Sequence, residues 1–285
     1  MAEKIVITSD STTDLSPELR EKYGVRILPL IVSLNDVDHV DGVDITPEDI
    51  YRNYETKKSL PKTAAPNLAS CTEFFRELTE QGYSVIHFTI SSEMSCTYQN
   101  CVIAAEDFEN VYVVDSRNLS TGGGLLVLRA AELAARGMRA GMIAEECRRL
   151  APYVDASFVI DSLEFLHKGG RCSTLSMLGA NFMNFKPCII VKDGRMSVSK
   201  KYRGRYDQVL LKYLEDRIGD GSDIDRSHVF ITHAGCDDEV VKACVKKLRS
   251  LGDFPNVHVT RAGCTVSSHC GRNTLGVLFI RNHTI

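Results

Sequence analysis

Short apolar runs alternate with amphipathic segments through the first half of the chain. Apolar runs bounded by turn residues are typical of buried strands, and they predict strands at residues 4–9, 25–32, 84–90 and 111–114. Segments with helical spacing predict helices that begin after Ser16 and Thr46, each followed by a proline, and others at residues 69–81, 95–107 and 122–136. Strands separated by helices indicate a mostly parallel, doubly wound sheet.

The second half of the chain has a different rhythm, in which hairpins are mixed with helices. Residues 188–191 and 196–201 predict a hairpin, because the Asp193-Gly194 pair between them is a favoured tight turn. Other strands are predicted at residues 158–161, 229–232, 257–261 and 275–280, and helices at residues 175–184, 207–218 and 237–251. This mixture indicates an α+β domain with a mixed sheet.

The length of the chain, 285 residues, exceeds the usual size of one domain. The change of rhythm falls near residues 150–155, where no linker-like composition marks it. We therefore predict an N-terminal doubly wound α/β domain at residues 1–152. A C-terminal α+β domain with a mixed sheet is predicted at residues 153–285.

Composition and charge narrow the functional classes. The formal net charge of −3 provides no general attraction to nucleic acid or to an anionic membrane. No signal-peptide pattern and no apolar run long enough to span a bilayer is found, so a cytoplasmic protein without an integral membrane segment is expected. The ten cysteines lack metal-binding spacing, so we expect mostly buried free thiols and no structural metal.

The segment at residues 84–99 carries the strongest functional signal. A predicted strand is followed there by a run of mostly polar residues that includes Ser91, Ser95 and Thr97. The ligand crevice of an open α/β sheet lies at the carboxyl ends of its strands, and N–H groups at a helix N-terminus bind anions. Ser95 and Thr97 would add side-chain donors at that place. The alternative is that these residues only cap a helix.

Two further loops present side chains that suit a polar ligand. Thr63 lies between Pro61 and Pro66, which stiffen a predicted surface loop. His269 lies in a predicted loop of short side chains at residues 265–271. Proline-rich loops often only turn the chain, and a single histidine is more often a packing residue than a reagent, so both alternatives stay open.

Basic residues are concentrated in two places. Lys168-Gly169-Gly170-Arg171 follows the strand-like segment at residues 158–166 and forms either an anion-binding nest or a helix C-cap. The densest basic run of the chain consists of Lys200, Lys201, Arg203 and Arg205. This run is either a solvated hairpin end or a docking surface for an acidic partner.

Two catalytic interpretations find less support in the sequence. Thr121-Gly122-Gly123-Gly124 matches neither nucleotide-binding glycine motif, so its glycines are expected to pack closely in an apolar helix. A serine hydrolase would use Ser95 and His269, but Ser95 lacks the glycines of a nucleophile elbow and no acidic partner of His269 is identifiable. A small-molecule enzyme, either such a hydrolase or a phosphotransferase, stays as the alternative function.

Several segments, taken in order, resemble the DegV family of bacterial fatty-acid-binding proteins. Residues 10–15 are similar to the Asp-Ser-Thr-x-Asp-Leu opening of that family, and residues 90–99 to its Ser-Ser-x-x-Ser-Gly-Thr-Tyr segment. Residues 166–171 are similar to its Lys-Gly-Gly-Arg loop, and residues 186–204 to its Lys-Pro…Asp-Gly…Lys-x-Arg-Gly block. The resemblance covers essentially the whole chain.

The resemblance implies a two-domain fatty-acid carrier without catalytic residues. A long acyl chain would lie in a tunnel covered by the C-terminal domain, with its carboxylate at the domain junction. The bound fatty acid, with no other cofactor, would be presented to a separate fatty acid kinase that makes acyl phosphate for phospholipid synthesis. Thr63 and Ser95 match the residues that bind the carboxylate, and Arg171, His269 and Thr97 match the supporting polar network.

The resemblance leaves the head-group region and the tunnel walls open to variation. Cys96 stands where the family usually has glycine, Ala64-Ala65 replaces a more polar pair, and Cys270-Gly271-Arg272-Asn273 replaces the usual Gly-Pro-Gly after the histidine. Ordinary core packing is the alternative role for each apolar side chain of the helix predicted near residues 175–185. The candidate tunnel residues on that helix are Met177, Leu178, Phe182 and Met183.

Overall fold

The computed structural model describes residues 3–172 and 185–282, which form thirteen strands and ten α-helices. The strands are β1 Ile5–Asp10, β2 Arg26–Leu28, β3 Ile31–Leu34, β4 Val37–Val40, β5 Lys62–Ala64, β6 Ser84–Thr89, β7 Val111–Asp115, β8 Val154–Ile160, β9 Phe185–Lys192, β10 Arg195–Arg203, β11 Ile224–Ala234, β12 Val257–Arg261 and β13 Thr274–Arg281. The helices are α1 Pro17–Tyr23, α2 Pro47–Lys57, α3 Leu68–Glu80, α4 Thr97–Ala105, α5 Thr121–Ala135, α6 Ala140–Leu150, α7 Glu164–Gly169, α8 Tyr206–Ile218, α9 Asp238–Leu251 and α10 Cys264–Cys270. The predicted helix at residues 175–184, with Met177, Leu178, Phe182 and Met183, lies outside the described residues.

The first sheet is parallel and has the strand order β2-β1-β6-β7. Successive side chains of a strand point to opposite faces, and helices cover both faces here. Ile7, Ile86 and Val114 pack with α5 and α6 on one face. Val6 and Val85 pack with α3 and α4 on the other face. This arrangement confirms the doubly wound sheet predicted for the first half of the chain.

The second sheet is mixed and has the strand order β10-β9-β8-β13-β11-β12. Helices α8 and α9 cover one of its faces. Helix α5 covers the other face and also packs against β1 and β6, so it lies between the two sheets. The glycine run at its start packs closely, as predicted, because a Cβ at Gly124 would lie 2.9 Å from the Leu15 side chain. The mixed sheet of the second half is confirmed, and the domain division at residue 152 stays a prediction.

The third sheet is a small antiparallel one with the order β4-β3-β5, which the sequence pattern does not predict. The segment predicted as a loop at residues 61–66 contains β5, in which Thr63 pairs with Val32 of β3. A strand of three residues is too short to show a period of two. Only its pairing with β3 makes this segment a strand.

Helix α6 was not predicted, and three predicted elements have a different structure. The strand predicted at residues 25–32 is divided into β2 and β3, because Pro29 has no N–H group for a ladder hydrogen bond. The strand-like segment at residues 158–166 ends with β8, and the chain then continues as α7. The predicted loop at residues 265–271 is the helix α10. Helices with so few turns show no helical period in the sequence.

Across the described ranges, no helix has the length and apolar character needed to cross a bilayer.

Two carboxyl groups are buried at the end of β1: Asp10 is its last residue, and Asp14 lies four residues later. Asp10 accepts a hydrogen bond from the N–H group of Ile90, at 2.7 Å. Asp14 accepts hydrogen bonds from the Ser120 hydroxyl and from the N–H group of Gly263. Burial outweighs these bonds, and it raises the pKa of Asp10 to about 6 and the pKa of Asp14 to about 8.

We expect Asp14 to make the protein less stable as the pH rises towards 8. A carboxyl whose pKa is raised in the folded state contributes stability below its unfolded pKa, and this contribution is lost as the pH rises through the folded pKa. Asp14→Asn keeps the shape and does not ionise. The free energy of unfolding of the wild type, relative to this variant, should therefore fall by up to about 1.4 kcal/mol per pH unit. Urea unfolding of both proteins at several pH values measures this difference, between the unfolded pKa of an aspartate, about 4, and the folded pKa of Asp14, about 8. A difference that does not depend on pH contradicts the expectation.

Candidate functional site

A cavity of about 320 Å³ lies between the carboxyl end of the parallel sheet and the mixed sheet. Its exposed lining residues are Ala64, Cys96 and Arg171, so the cavity opens to solvent beside Thr63 and Ser95. Elsewhere its wall is mostly apolar and includes side chains from both sheets and their connections: Ile90, Met94, Leu119, Phe158, Leu166 and Met196.

Sequence reasoning did not identify these apolar wall residues. Met94 lies inside the segment that carried the strongest functional signal, and Met196 follows the Asp-Gly turn. Their residue types suit a cavity wall and an ordinary core equally well. Only the space between the two sheets distinguishes the two roles.

The structure brings four of the predicted site residues to this cavity: Thr63, Ser95, Arg171 and His269. They come from β5, from the turn before α4, from the segment after α7 and from α10. The fifth residue, Thr97, is completely buried and lies behind Ser95. The predicted constellation is therefore assembled from elements far apart in the sequence.

Thr63 and His269 form a hydrogen bond in which Oγ1 lies 2.8 Å from Nε2. Burial, helped by the positive charge of Arg171, lowers the pKa of His269 to about 4, so the ring is neutral at neutral pH. Among the described residues, Nδ1 of this ring has no hydrogen-bond partner. Since an orphaned N–H donor is costlier than an unpaired acceptor, we assign the proton to Nε2, which then donates to Thr63. The hydroxyl hydrogen of Thr63 is left for the cavity.

The two glycines beside Arg171 have separate roles. Gly169 lies against the His269 ring, because a Cβ at this position would be 2.5 Å from Nδ1. Gly170 is the C-cap of α7 and has a φ of 69°, as the C-cap alternative predicted. The Arg171 guanidinium donates to the Gly169 carbonyl at 2.7 Å. This segment therefore leaves room for the His269 ring of α10 and places the positive charge of Arg171 at the cavity.

Ser95 lies in the turn before α4, which begins at Thr97 and not at residue 95 as predicted. Its Oγ accepts the Thr97 N–H at 3.2 Å and lies 2.8 Å from the Thr97 hydroxyl. The buried Thr97 hydroxyl is satisfied when it donates to Ser95, which leaves the hydrogen of Ser95 for the cavity. The N-cap residue, Cys96, makes no capping hydrogen bond with its side chain. Helix capping therefore describes only part of what this turn does.

The turn of the β9–β10 hairpin holds the loop that carries Ser95. The Ser91 hydroxyl donates to the Gly194 carbonyl at 2.7 Å. Arg195 forms an ion pair with Glu93, with Nη2 2.6 Å from Oε2. Both residues of the predicted Asp-Gly turn have positive φ, and the hairpin itself is confirmed. This turn thus connects the mixed sheet to the polar end of the cavity.

The structure accommodates the departures from the family pattern. Cys96 has φ −78° and ψ 4°, a conformation that does not require glycine. Ala64 and Ala65 line the cavity. Asn273 has a φ of 58°, which asparagine tolerates better than most residues. The backbone around the head-group region is therefore compatible with this sequence.

The predicted docking surface does not line the cavity. It lies on β10 and in the turn after it: Lys200, Lys201, Arg203 and Arg205. Lys200 pairs with Asp216, and Arg205 pairs with Asp207. Both basic side chains are more than half exposed, and such surface pairs are weak. The role of this run in docking stays a prediction.

The described residues do not assemble the set of groups that a serine hydrolase needs. His269 bonds to Thr63 and not to Ser95 through Nε2, and no carboxylate contacts its Nδ1 within the described ranges. Ser95 is paired with Thr97 instead of a base. In the same part of the chain, no three His, Cys, Asp or Glu side chains are grouped so that they could hold a metal ion.

The two sheets and the cavity between them define an α/β protein built around an apolar internal space with hydroxyls at its opening. The model of the family described as "Uncharacterised protein, DegV family" matches residues 4–282. The chain belongs to the DegV family.

Similarity to other proteins extends over nearly the whole chain. A DegV domain-containing protein of Caldanaerobacter subterraneus subsp. tengcongensis is 31% identical over 281 residues, which make up 97% of this chain and 99% of that protein. A solved structure described as fatty acid binding of a DegV family protein from Thermus thermophilus has a TM-score of 0.90 and 29% identity, and covers 98% of this chain and 99% of that one. The solved structure of a stearic-acid-binding protein from Eubacterium ventriosum has a TM-score of 0.82 and 28% identity, and covers 97% of this chain and 98% of that one.

Proposed function

We propose that this protein binds a long-chain fatty acid, with the acyl chain in the cavity and the carboxylate at Thr63 and Ser95. The observation that carries the proposal is a pair of hydroxyls at the opening of an apolar cavity, each with a second group behind it that leaves its hydrogen available. Two O–H donors suit the two oxygens of a carboxylate. The Arg171 guanidinium adds a positive charge at the same cavity.

The apolar wall supports an acyl chain as the remainder of the ligand. The volume of about 320 Å³ is in the range of ligand pockets. Apolar walls with a few polar groups at one place are typical of sites that bind an amphipathic molecule in one orientation. The relatives from Thermus thermophilus and Eubacterium ventriosum are described as fatty-acid-binding, which supports the same class of ligand.

The carrier role is the second part of the proposal. The protein would present the bound fatty acid to a separate fatty acid kinase, in the cytoplasm, for formation of acyl phosphate used in phospholipid synthesis. The exposed residues around the opening, Ala64, Cys96 and Arg171, leave a bound carboxylate within reach of a second protein. The hydroxyl pairs hold a carboxylate and provide no activated nucleophile, which favours presentation over turnover by this chain.

Organic extraction of the purified protein, followed by mass spectrometry, tests fatty-acid binding. We expect a long-chain fatty acid in the extract, or binding of added palmitate or oleate to the protein without ligand. Absence of an acyl ligand together with no binding of either fatty acid contradicts the proposal. The rival enzyme predicts turnover of an acyl ester or a nucleotide by the isolated chain, and loss of that turnover in Ser95→Ala.

Charge reversal tests presentation to the kinase. In the double variant Arg203→Glu and Arg205→Glu, we expect slower acyl phosphate formation by the partner kinase with an unchanged affinity for fatty acid, because the basic run does not line the cavity. The double variant Lys246→Glu and Arg249→Glu on α9, where both side chains are exposed, makes the same charge change elsewhere and serves as the control. Unchanged acyl phosphate formation would identify the basic run as a solvated surface.

A further inference from the structure

The buried carboxylate of Asp41 holds the first turn of α10. Its Oδ1 accepts the N–H of Cys264 at 2.9 Å, and its Oδ2 accepts the N–H of Thr265 at 3.2 Å. The Ser11 hydroxyl also donates to Oδ2, at 2.8 Å. Asp41 is only 4% exposed, so these three donors replace the water that its charge would otherwise bind.

The opposite end of α10 carries His269, which bonds to Thr63. Thr63 belongs to β5, β5 pairs with β3, and β3 pairs with β4, which ends immediately before Asp41. The small antiparallel sheet therefore holds α10 at both of its ends. A helix of seven residues held in this way has little freedom to rotate or slide relative to Thr63.

We infer that Asp41 is a positioning residue for the ligand carboxylate, acting through α10 on the hydrogen bond between His269 and Thr63. The inference rests on the proposed fatty-acid site. If α10 moved away from β5, the Thr63 hydroxyl would lose the donor behind it and would be able to turn its own hydrogen away from the cavity. Asp41 thereby decides whether Thr63 presents a hydrogen to the ligand.

An asparagine cannot replace Asp41 in this arrangement. Both carboxylate oxygens accept from donors, so an amide at this position would direct its NH₂ group at an N–H or an O–H group. Asp44 provides a matched control, because its side chain is 53% exposed and lies in the same loop. Asp44→Asn makes the same chemical change at a side chain that bonds to Val40 and His39 and not to α10.

The test compares the affinities of Asp41→Asn and Asp44→Asn for hexadecanoate and for its methyl ester, which has the same chain but no charge. We expect Asp41→Asn to lower the ratio of acid to ester affinity by about tenfold, and Asp44→Asn to leave the ratio within about twofold of the wild type. An unchanged ratio in folded Asp41→Asn overturns the inference. An equal loss for the acid and the ester also overturns it, since that result indicates a general structural role.

A second variant keeps the test decisive when Asp41→Asn does not fold. Ser11→Ala removes one donor to Asp41 and keeps the carboxylate, so we expect a fall in the ratio of about two- to threefold. A folded Ser11→Ala with an unchanged ratio overturns the inference. Failure of the proposed function is recognised separately, because the wild type would then bind neither hexadecanoate nor its ester.

Discussion

The affinity for saturated fatty acids is expected to rise about fourfold with each methylene added from octanoate to hexadecanoate. Each buried methylene contributes about 0.8 kcal/mol, and 1.4 kcal/mol corresponds to about a tenfold change in affinity. The rise should end when the cavity between the two sheets is filled. Isothermal titration calorimetry with the fatty-acid series measures the slope, and an affinity that does not depend on chain length would place the acyl chain outside the apolar cavity.

The free energies of acyl-chain burial and of hydrogen bonding to the carboxylate indicate different roles for the apolar wall and the hydroxyls. About 14 buried methylenes would provide a gross driving force near 11 kcal/mol, before the costs of association. A hydrogen bond to a charged group contributes about 1.5 to 3 kcal/mol. The apolar wall should therefore set the affinity, whereas Thr63 and Ser95 should set where the carboxylate lies.

Removal of either hydroxyl is the second change for which we expect a large effect. Thr63→Val and Ser95→Ala should each lower the affinity for hexadecanoate by about ten- to a hundredfold, because each variant loses one charge-assisted hydrogen bond. The slope of the chain-length series should be the same as in the wild type, since neither substitution changes the apolar wall. The same calorimetric titrations measure both quantities.

Ser92→Ala is the matched control for the hydroxyl variants. Ser92 lies in the same loop as Ser95, is exposed and does not line the cavity, so its loss should leave the affinity unchanged. Wild-type affinity in both Thr63→Val and Ser95→Ala would show that the carboxylate binds elsewhere. A changed slope in either variant would mean that the substitution had altered the path of the acyl chain.

Hydrophobic periodicity predicted most of the long elements of the fold, although it missed helix α6. The runs that became β1, β6 and β7 are apolar along their length because helices cover both faces of the parallel sheet. The hairpin of β9 and β10 was predicted from its Asp-Gly turn, whose two residues have the positive φ that such turns require. Both signals are local, so the sequence carries them without reference to the rest of the chain.

The short elements could not be predicted in the same way. β5 has three residues and exists because β3 supplies its hydrogen bonds. Helix α10 contains β-branched and small polar residues that favour helices weakly. The carboxyl oxygens of Asp14 and Asp41 accept hydrogen bonds from the N–H groups of Gly263 and Cys264, at the start of this helix, from positions more than two hundred residues earlier in the chain. These elements are stabilised by tertiary contacts that leave no periodic pattern in the sequence.

The sequence by itself determined the α/β class of the fold, the order of the long strands, and the hydroxyl and basic residues available for a site. The tertiary structure alone decided that Thr63 and His269, 206 residues apart, lie within hydrogen-bond distance of each other at the opening of an apolar cavity. The physical reason is that strand and helix periods record which face of an element is buried. They do not record which distant element covers that face or what space remains between the two.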